Sequence, residues 1–288
     1  MNTSHYKYID RPGFLEGCFY WKGRGYHFAA APPAQLLAPG AWQDDDPWMA
    51  LAAILESAKR GDFSHVSRLR EVILDEASVP TLVSACLGLT ADAGLESDLD
   101  FLAELMIQGP DHLRIEASLA AQWSGVMWLV PFMVEARCAL ERQADREAVE
   151  ANISNLLDPL EGEPEFYDSS LDDAQYRHAV DTRLAQLQAP HGNDRLSILA
   201  GTVVDVNRQA WLMRKALVPN DPDAWLDWSN FLLWRRTFEV YSGIDCSSFY
   251  DRHGQFQPLN ASAVLDQYLA SPLQLEIGRR YFFGRLVV

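Results

Sequence analysis

The 288-residue chain is 48% hydrophobic and 22% charged, an ordinary globular composition that excludes a disordered class. Its net charge of −16 argues against nucleic-acid and membrane partners, because such a surface repels phosphate backbones and acidic leaflets. The start MNTSHYKYID lacks an apolar signal core, and the longest dense apolar run, Val126 to Val134, is too short to span a bilayer, so a cytoplasmic protein is expected.

Residues 1–41 hold 4 basic and 2 acidic residues, 42–176 hold 8 and 27, and 177–288 hold 12 and 11, so the negative excess sits in the middle of the chain. The first segment, 1–41, reads as an N-terminal hairpin and connector: FLEGCFYW and YHFAA flank KGRG, and AAAPPAQLLAPG resists continuous helix. His27 and Trp21 read as packing residues of this element. Asp46 and Pro47 then form a strong helix start, the carboxylate capping and the proline taking the first helical position, while DDDP lacks the alternating ligands of a calcium loop.

From Asp46 to about Leu157, candidate helix starts recur in two registers. One is Asp46, Ser78, Asp111 and Asp145, at intervals of 32, 33 and 34 residues; the other is Ser64 and Ser97, 33 apart, with a further start near Val130 and Pro131. Apolar faces follow at helical spacing: Trp48, Leu51, Ala52 and Leu55; Val66, Leu69 and Ile73; Leu82, Cys86 and Leu89; Leu99, Leu102, Ala103 and Met106; Ile115 and Leu119; Phe132, Ala136, Ala139 and Leu140; Val149, Ile153 and Leu156. Helix pairs repeating about every 33 residues are predicted over 42–160, and such pairs bury their faces by stacking.

The segments SVPTLVSACLGLTADAG and LDFLAELMIQGPDHLRIEASLAAQW resemble HEAT-like helical repeats, each with a short apolar helix, a small-residue seam and a polar turn. The resemblance implies a mainly α fold, an α-solenoid of antiparallel repeats over 42–160. A helical C-terminal module over 177–288 follows, with minor β structure at the chain ends.

Between these parts, 161–176 is an acidic loop. Glu161, Glu163, Glu165, Asp168, Asp172 and Asp173 cannot all be buried, and Phe166 with Tyr167 supplies an aromatic anchor. The loop is either a solvated linker or a partner-binding surface that imitates phosphate for a basic cleft.

In the C-terminal module, Leu196, Leu199, Val203, Val206, Ala210, Met213 and Leu217 step by 3 and 4, which predicts one long helix ended by Pro219. Asp221 and Pro222 start the next, AWLDWSNFLLWRRTFEVY, with aromatics on more than one face. A last short helix starts at Asn260 or Ser262, and the tail LQLEIGRRYFFGRLVV reads as a strand able to pair with the N-terminal hairpin.

No HExxH, GxxxxGK[ST], GxSxG or strand-linked GxGxxG is present, and no two of the seven histidines stand at i, i+4. The four cysteines, Cys18, Cys86, Cys138 and Cys246, lack CxxC spacing and read as reduced thiols. Cys246 and His253 carry no thiol-enzyme signature. No catalytic residue, metal or cofactor is therefore expected. A mid-sized acidic helical-repeat chain with an aromatic C-terminal module resembles, in style, the immunity proteins of bacterial toxin and immunity pairs. That resemblance implies a cytosolic inhibitor that occludes the active site of a basic toxin. A HEAT-like scaffold or adaptor, and an all-α enzyme without a recognisable motif, are the alternatives.

Overall fold

The computed structural model describes residues 11–15, 25–28, 33–159, 164–167, 170–217, 228–251 and 253–288. In chain order its elements are α1 (Pro47–Lys59), α2 (Leu69–Leu74), α3 (Pro80–Ala93), α4 (Glu96–Gln108), α5 (Asp111–Ser124), α6 (Val130–Ala139), α7 (Gln143–Leu157), α8 (Asp173–Gln188), β1 (Ile198–Leu199), β2 (Thr202–Val203), α9 (Val206–Ala216), α10 (Trp228–Ser242), α11 (Pro258–Ala270), β3 (Tyr281–Phe282) and β4 (Arg285–Leu286). Eleven α-helices against four two-residue strands among the described residues make the fold mainly α. None of these helices is long and apolar enough to cross a membrane.

The chain falls into two compact units. Unit 1 comprises Met1–Leu95, Val206–Leu275 and Tyr281–Val288; unit 2 comprises Glu96–Asp205 and Glu276–Arg280. This division differs from the four consecutive segments read from the sequence. The acidic loop and residues 177–205 belong with α4–α7, whereas 42–95 belongs with the C-terminal helices.

In unit 1, α3 packs on α1 and α2, α9 on α10 and α11, and β3 on α3 and α10. Asp46 caps α1 by accepting the Trp48 N–H at 2.9 Å, with Pro47 in the first turn, so this carboxylate works as the cap that the sequence predicts. Gly61, at φ +92°, lies just past the end of α1 in the left-handed conformation that ends helices. The predicted faces are buried: Trp48, Leu51, Ala52, Leu55, Val66, Leu69, Ile73, Leu82, Cys86 and Leu89.

In unit 2, α4 packs on α5 and α6, α5 on α6 and α7, and α6 on α7 and α8. The buried stripe of α5 is Leu113, Ala117, Ala120 and Ala121; Ile115 and Leu119, predicted as its face, are only half-buried. Small side chains let α4 and α7 approach α5 closely, so the alanines, not the larger residues beside them, lie at the contact.

The long helix predicted over 196–217 does not form. Leu196, Leu199 and Val203 belong to a hairpin in which β1 pairs antiparallel with β2, Ile198 opposite Val203, and helix begins only at Val206. Ala200 and Gly201 sit at φ 51° and 66°, the two left-handed central positions of a type I′ turn, which matches the twist of paired strands.

The tail forms its own hairpin, β3 against β4, and Phe283 and Gly284 again occupy two left-handed turn positions, at φ 49° and 73°. The amides of that turn donate to Val240 O (2.8 Å) and Tyr241 O (2.7 Å), satisfying carbonyls that the C-terminal turn of α10 leaves open. The sheet has two strands, so the tail pairs with itself. The KGRG hairpin expected at the N-terminus falls mostly outside the described residues; of its flanks, Gly13–Leu15 is a single 3-10 turn.

Candidate functional site

The sequence-predicted surface is built where α7 ends. Asp158, the C-terminal cap of α7, is buried and accepts the amides of Glu165 (2.9 Å) and Phe166 (3.2 Å), closing the loop onto the helix from which it leaves. Phe166 is 1% exposed, and its carbonyl accepts the Tyr176 hydroxyl at 2.8 Å. The two rings meet edge to face with centroids 6.1 Å apart. Burial pushes the Tyr176 phenol well above its ordinary value, so it stays a neutral donor to that carbonyl.

Asp172 caps α8 through a capping box: its carboxylate accepts the Ala174 and Gln175 amides at 3.0 and 2.9 Å, and the Gln175 side chain returns the bond to the Asp172 amide at 3.2 Å. Asp173 is tied down beside it. It accepts the Arg137 Nη1 at 2.6 Å, while the Arg137 Nε donates to buried Glu150 at 2.7 Å, and the guanidinium lies 4.1 Å from the Tyr176 ring centroid. Arg146 stands 3.6 Å from the same Asp173 oxygen.

The eight predicted residues thus divide. Glu165, Tyr167 and Asp172 are exposed and sit on the fixed base just described. Phe166 is a buried anchor, not a contact residue, and Asp173 is a partner of Arg137. Glu161, Glu163 and Asp168 lie outside the described residues. The functional pair considered at Cys246 and His253 divides likewise: Cys246 is fully buried with its thiol pushed well above the ordinary range by that burial, and His253 is exposed.

Charge separates the units sharply. Unit 2 contains 22 acidic and 9 basic residues, a net −13, which leaves −3 for unit 1. A feature that the sequence reading passed over contributes to it: Glu96, Asp100 and Glu104 are all exposed on α4. Their i, i+4, i+8 spacing, visible in the sequence, aligns them on one ridge of the helix. Glu96 is paired with Arg195, while Asp100 and Glu104 extend the ridge.

A second acidic feature lies in unit 1, where a cavity of about 200 Å³ is lined by Trp42, Asp44, Asp45, Arg68, Glu71 and Asp75 among others. The chain supplies this cavity with its own cation. Arg68 bonds Glu71 at 3.0 Å and lies 5.5 Å from the Trp42 ring centroid. The larger net negative charge is nevertheless that of unit 2. No family model matches the chain, and no curated protein or solved structure matches it either.

Proposed function

We propose that the chain is a cytosolic protein-binding protein of the immunity type, which neutralises a basic partner, a toxin domain, by covering its active site with an acidic surface. The carrying observation is the concentration of net charge, −13 on unit 2 against −3 on unit 1. A field of that sign accelerates the approach of a cationic protein, and exposed carboxylates on a fixed base imitate the phosphates that a basic cleft binds. Glu165, Tyr167 and Asp172, with the α4 ridge of Asp100 and Glu104, are the contact residues in this reading. The finer fold belongs to the same proposal: α4–α8 each packing on the next and next-but-one helix is the contact order of a HEAT-like repeat stack.

The test begins with pull-down of the partner from the native cell, followed by stopped-flow association rates across an ionic-strength series. Reversal of Asp100, Glu104 and Glu165 to lysine slows association and flattens its salt dependence without altering the fold, because these groups are exposed. A rate indifferent to both salt and charge reversal removes this reading.

A further inference from the structure

Among the described residues, one group of potential metal ligands converges: His27, Glu239 and Asp245 of unit 1, whose ligand atoms all lie within 4.8 Å of one another. They come from three stretches: the segment 25–28, the last turn of α10, and the loop that follows it. We propose that these three residues bind a divalent transition-metal ion, and that Zn²⁺ is the ion their ligand set fits.

The first support is an unanswered lone pair. The His27 Nε2 is a buried atom with no hydrogen-bond partner, 3.7 Å from Glu239 Oε1. Acceptors facing one another across that gap repel unless a cation lies between them.

Geometry and charge agree. Zinc bonds of about 2.0–2.1 Å at tetrahedral angles set neighbouring ligand atoms roughly 3.4 Å apart, so the 3.7 Å pair needs to close by only a few tenths of an ångström. Each ligand is already oriented. Glu239 accepts the Gly25 amide at 3.1 Å and Arg235 at 2.6 Å, and Asp245 accepts the Ser247 amide at 2.7 Å. The His27 ring packs on Phe283, centroids 5.2 Å apart.

A methyl group on Gly25 would lie 2.6 Å from the Glu239 carboxylate, so this close approach requires glycine. Two positive groups oppose the ion: Arg235 on Glu239, and Lys59, itself paired with Glu56 at 2.8 Å. The site lies at the C-terminal, negative end of α10.

The ligand set selects the metal. One imidazole and two carboxylates suit zinc, whereas Ca²⁺ and Mg²⁺ take oxygen ligands in larger number. Three protein ligands leave one tetrahedral position to water or to a group from a partner, on the side where Asp245 is exposed. This departs from the sequence reading, in which His27 is only a packing residue and no metal is expected.

The experiment is calorimetric titration of the tag-free, chelator-stripped full chain with ZnCl2, and separately with MgCl2 and CaCl2. One Zn²⁺ binds per chain, and His27→Gln and Asp245→Asn each weaken it at least tenfold; the Asn retains an oxygen for the Ser247 amide, and circular dichroism checks the fold of both. Independently of the variants, the Co²⁺-loaded wild-type chain shows the intense visible bands of a four-coordinate ion. The proposal is overturned if Zn²⁺ uptake is not saturable, if both variants bind it as wild type does, or if Mg²⁺ or Ca²⁺ binds as tightly.

Discussion

Replacing Arg137 by methionine tests how the base of the acidic surface is held. Arg137 is 4% exposed and joins α6 to Glu150 of α7 at 2.7 Å and to Asp173 of α8 at 2.6 Å. Glu150 is 2% exposed and its second oxygen has no hydrogen-bond partner among the described residues, so loss of the guanidinium strips a buried carboxylate of the counter-charge with which it is paired. Breaking a buried pair in this way costs about 3–5 kcal/mol. The half-exposed Asp173 contact contributes at most about 1 kcal/mol, since Asp173 keeps Arg146, and the stacking on Tyr176 about as much. Methionine preserves most of the aliphatic stem, so the loss comes mainly from Glu150. Urea unfolding should place Arg137→Met about 3–5 kcal/mol below wild type, and the double variant Arg137→Met, Glu150→Met should recover most of that loss. A single-variant loss under about 1 kcal/mol, or a double variant no more stable than Arg137→Met, refutes the reasoning.

Asp172→Ala removes the side-chain half of the capping box, the carboxylate that accepts the Ala174 and Gln175 amides, and should cost about 0.5–2 kcal/mol in urea unfolding, whereas Asp172→Asn, which keeps a capping oxygen, should cost much less. The Asp62 carboxyl is held below its ordinary value of 3.8 by the Ser64 hydroxyl (2.6 Å) and then the Ser64 amide (3.1 Å). A depressed carboxylate adds stability above pH 3.8 that is lost as pH falls through the folded-state value. Ser64→Ala should therefore raise the Asp62 titration seen by carbon NMR, and its stability deficit should vanish at low pH. Burial raises the thiols of Cys86 and Cys246, so neither should react with iodoacetamide in the native chain, and mass mapping should find both labelled only after denaturation.

Much of the helical layout was legible because its signals are local. The Asp46–Pro47 start, the Gly61 stop, Gly109 with Pro110, and Pro131 in the first turn of α6 each act within a few residues of themselves. The recurrence survives too: α1, α3, α5 and α7 begin at 47, 80, 111 and 143, intervals of 33, 31 and 32. Individual caps were less legible. Ser78 does not cap, because Pro80 fixes the start of α3 and holds Val79 extended, and Ser64 bonds Asp62 instead.

The 196–217 seam misled because Leu196, Leu199 and Val203 satisfy a 3,4 step while Ala200–Gly201 provides a hairpin turn, and the turn prevails. Gly125 O and Gly278 O accept the Ile198 and Ser197 amides at 2.7 and 2.8 Å, bonds that this stretch could not make as a helix. The acidic loop was visible as composition. Which of its members stand free was not, since that depends on Arg137 and Tyr176 arriving from other helices.

The same distinction explains why unit 1 hides its polar interior from a reader of the sequence. Asp92 of α3, 4% exposed, accepts both the Tyr26 hydroxyl and Arg236 of α10, partners 66 and 144 residues away. Glu239 accepts the Gly25 amide from 214 residues away. Single charged residues among apolar neighbours look like solvated positions on an amphipathic helix, and no spacing rule connects them. Their convergence nevertheless decides how residues 25–28 are held, because Gly25 and Tyr26 are both tied to buried carboxylates, one by a backbone amide and one by a phenol. An apolar contact tolerates small shifts, whereas a buried carboxylate deprived of its donor costs several kcal/mol, so bonds of this kind fix one docking position against its near alternatives. The placement of His27 follows from that constraint: the chain positions fixed at 25 and 26 carry the next side chain to the end of α10, where Glu239 and Asp245 stand.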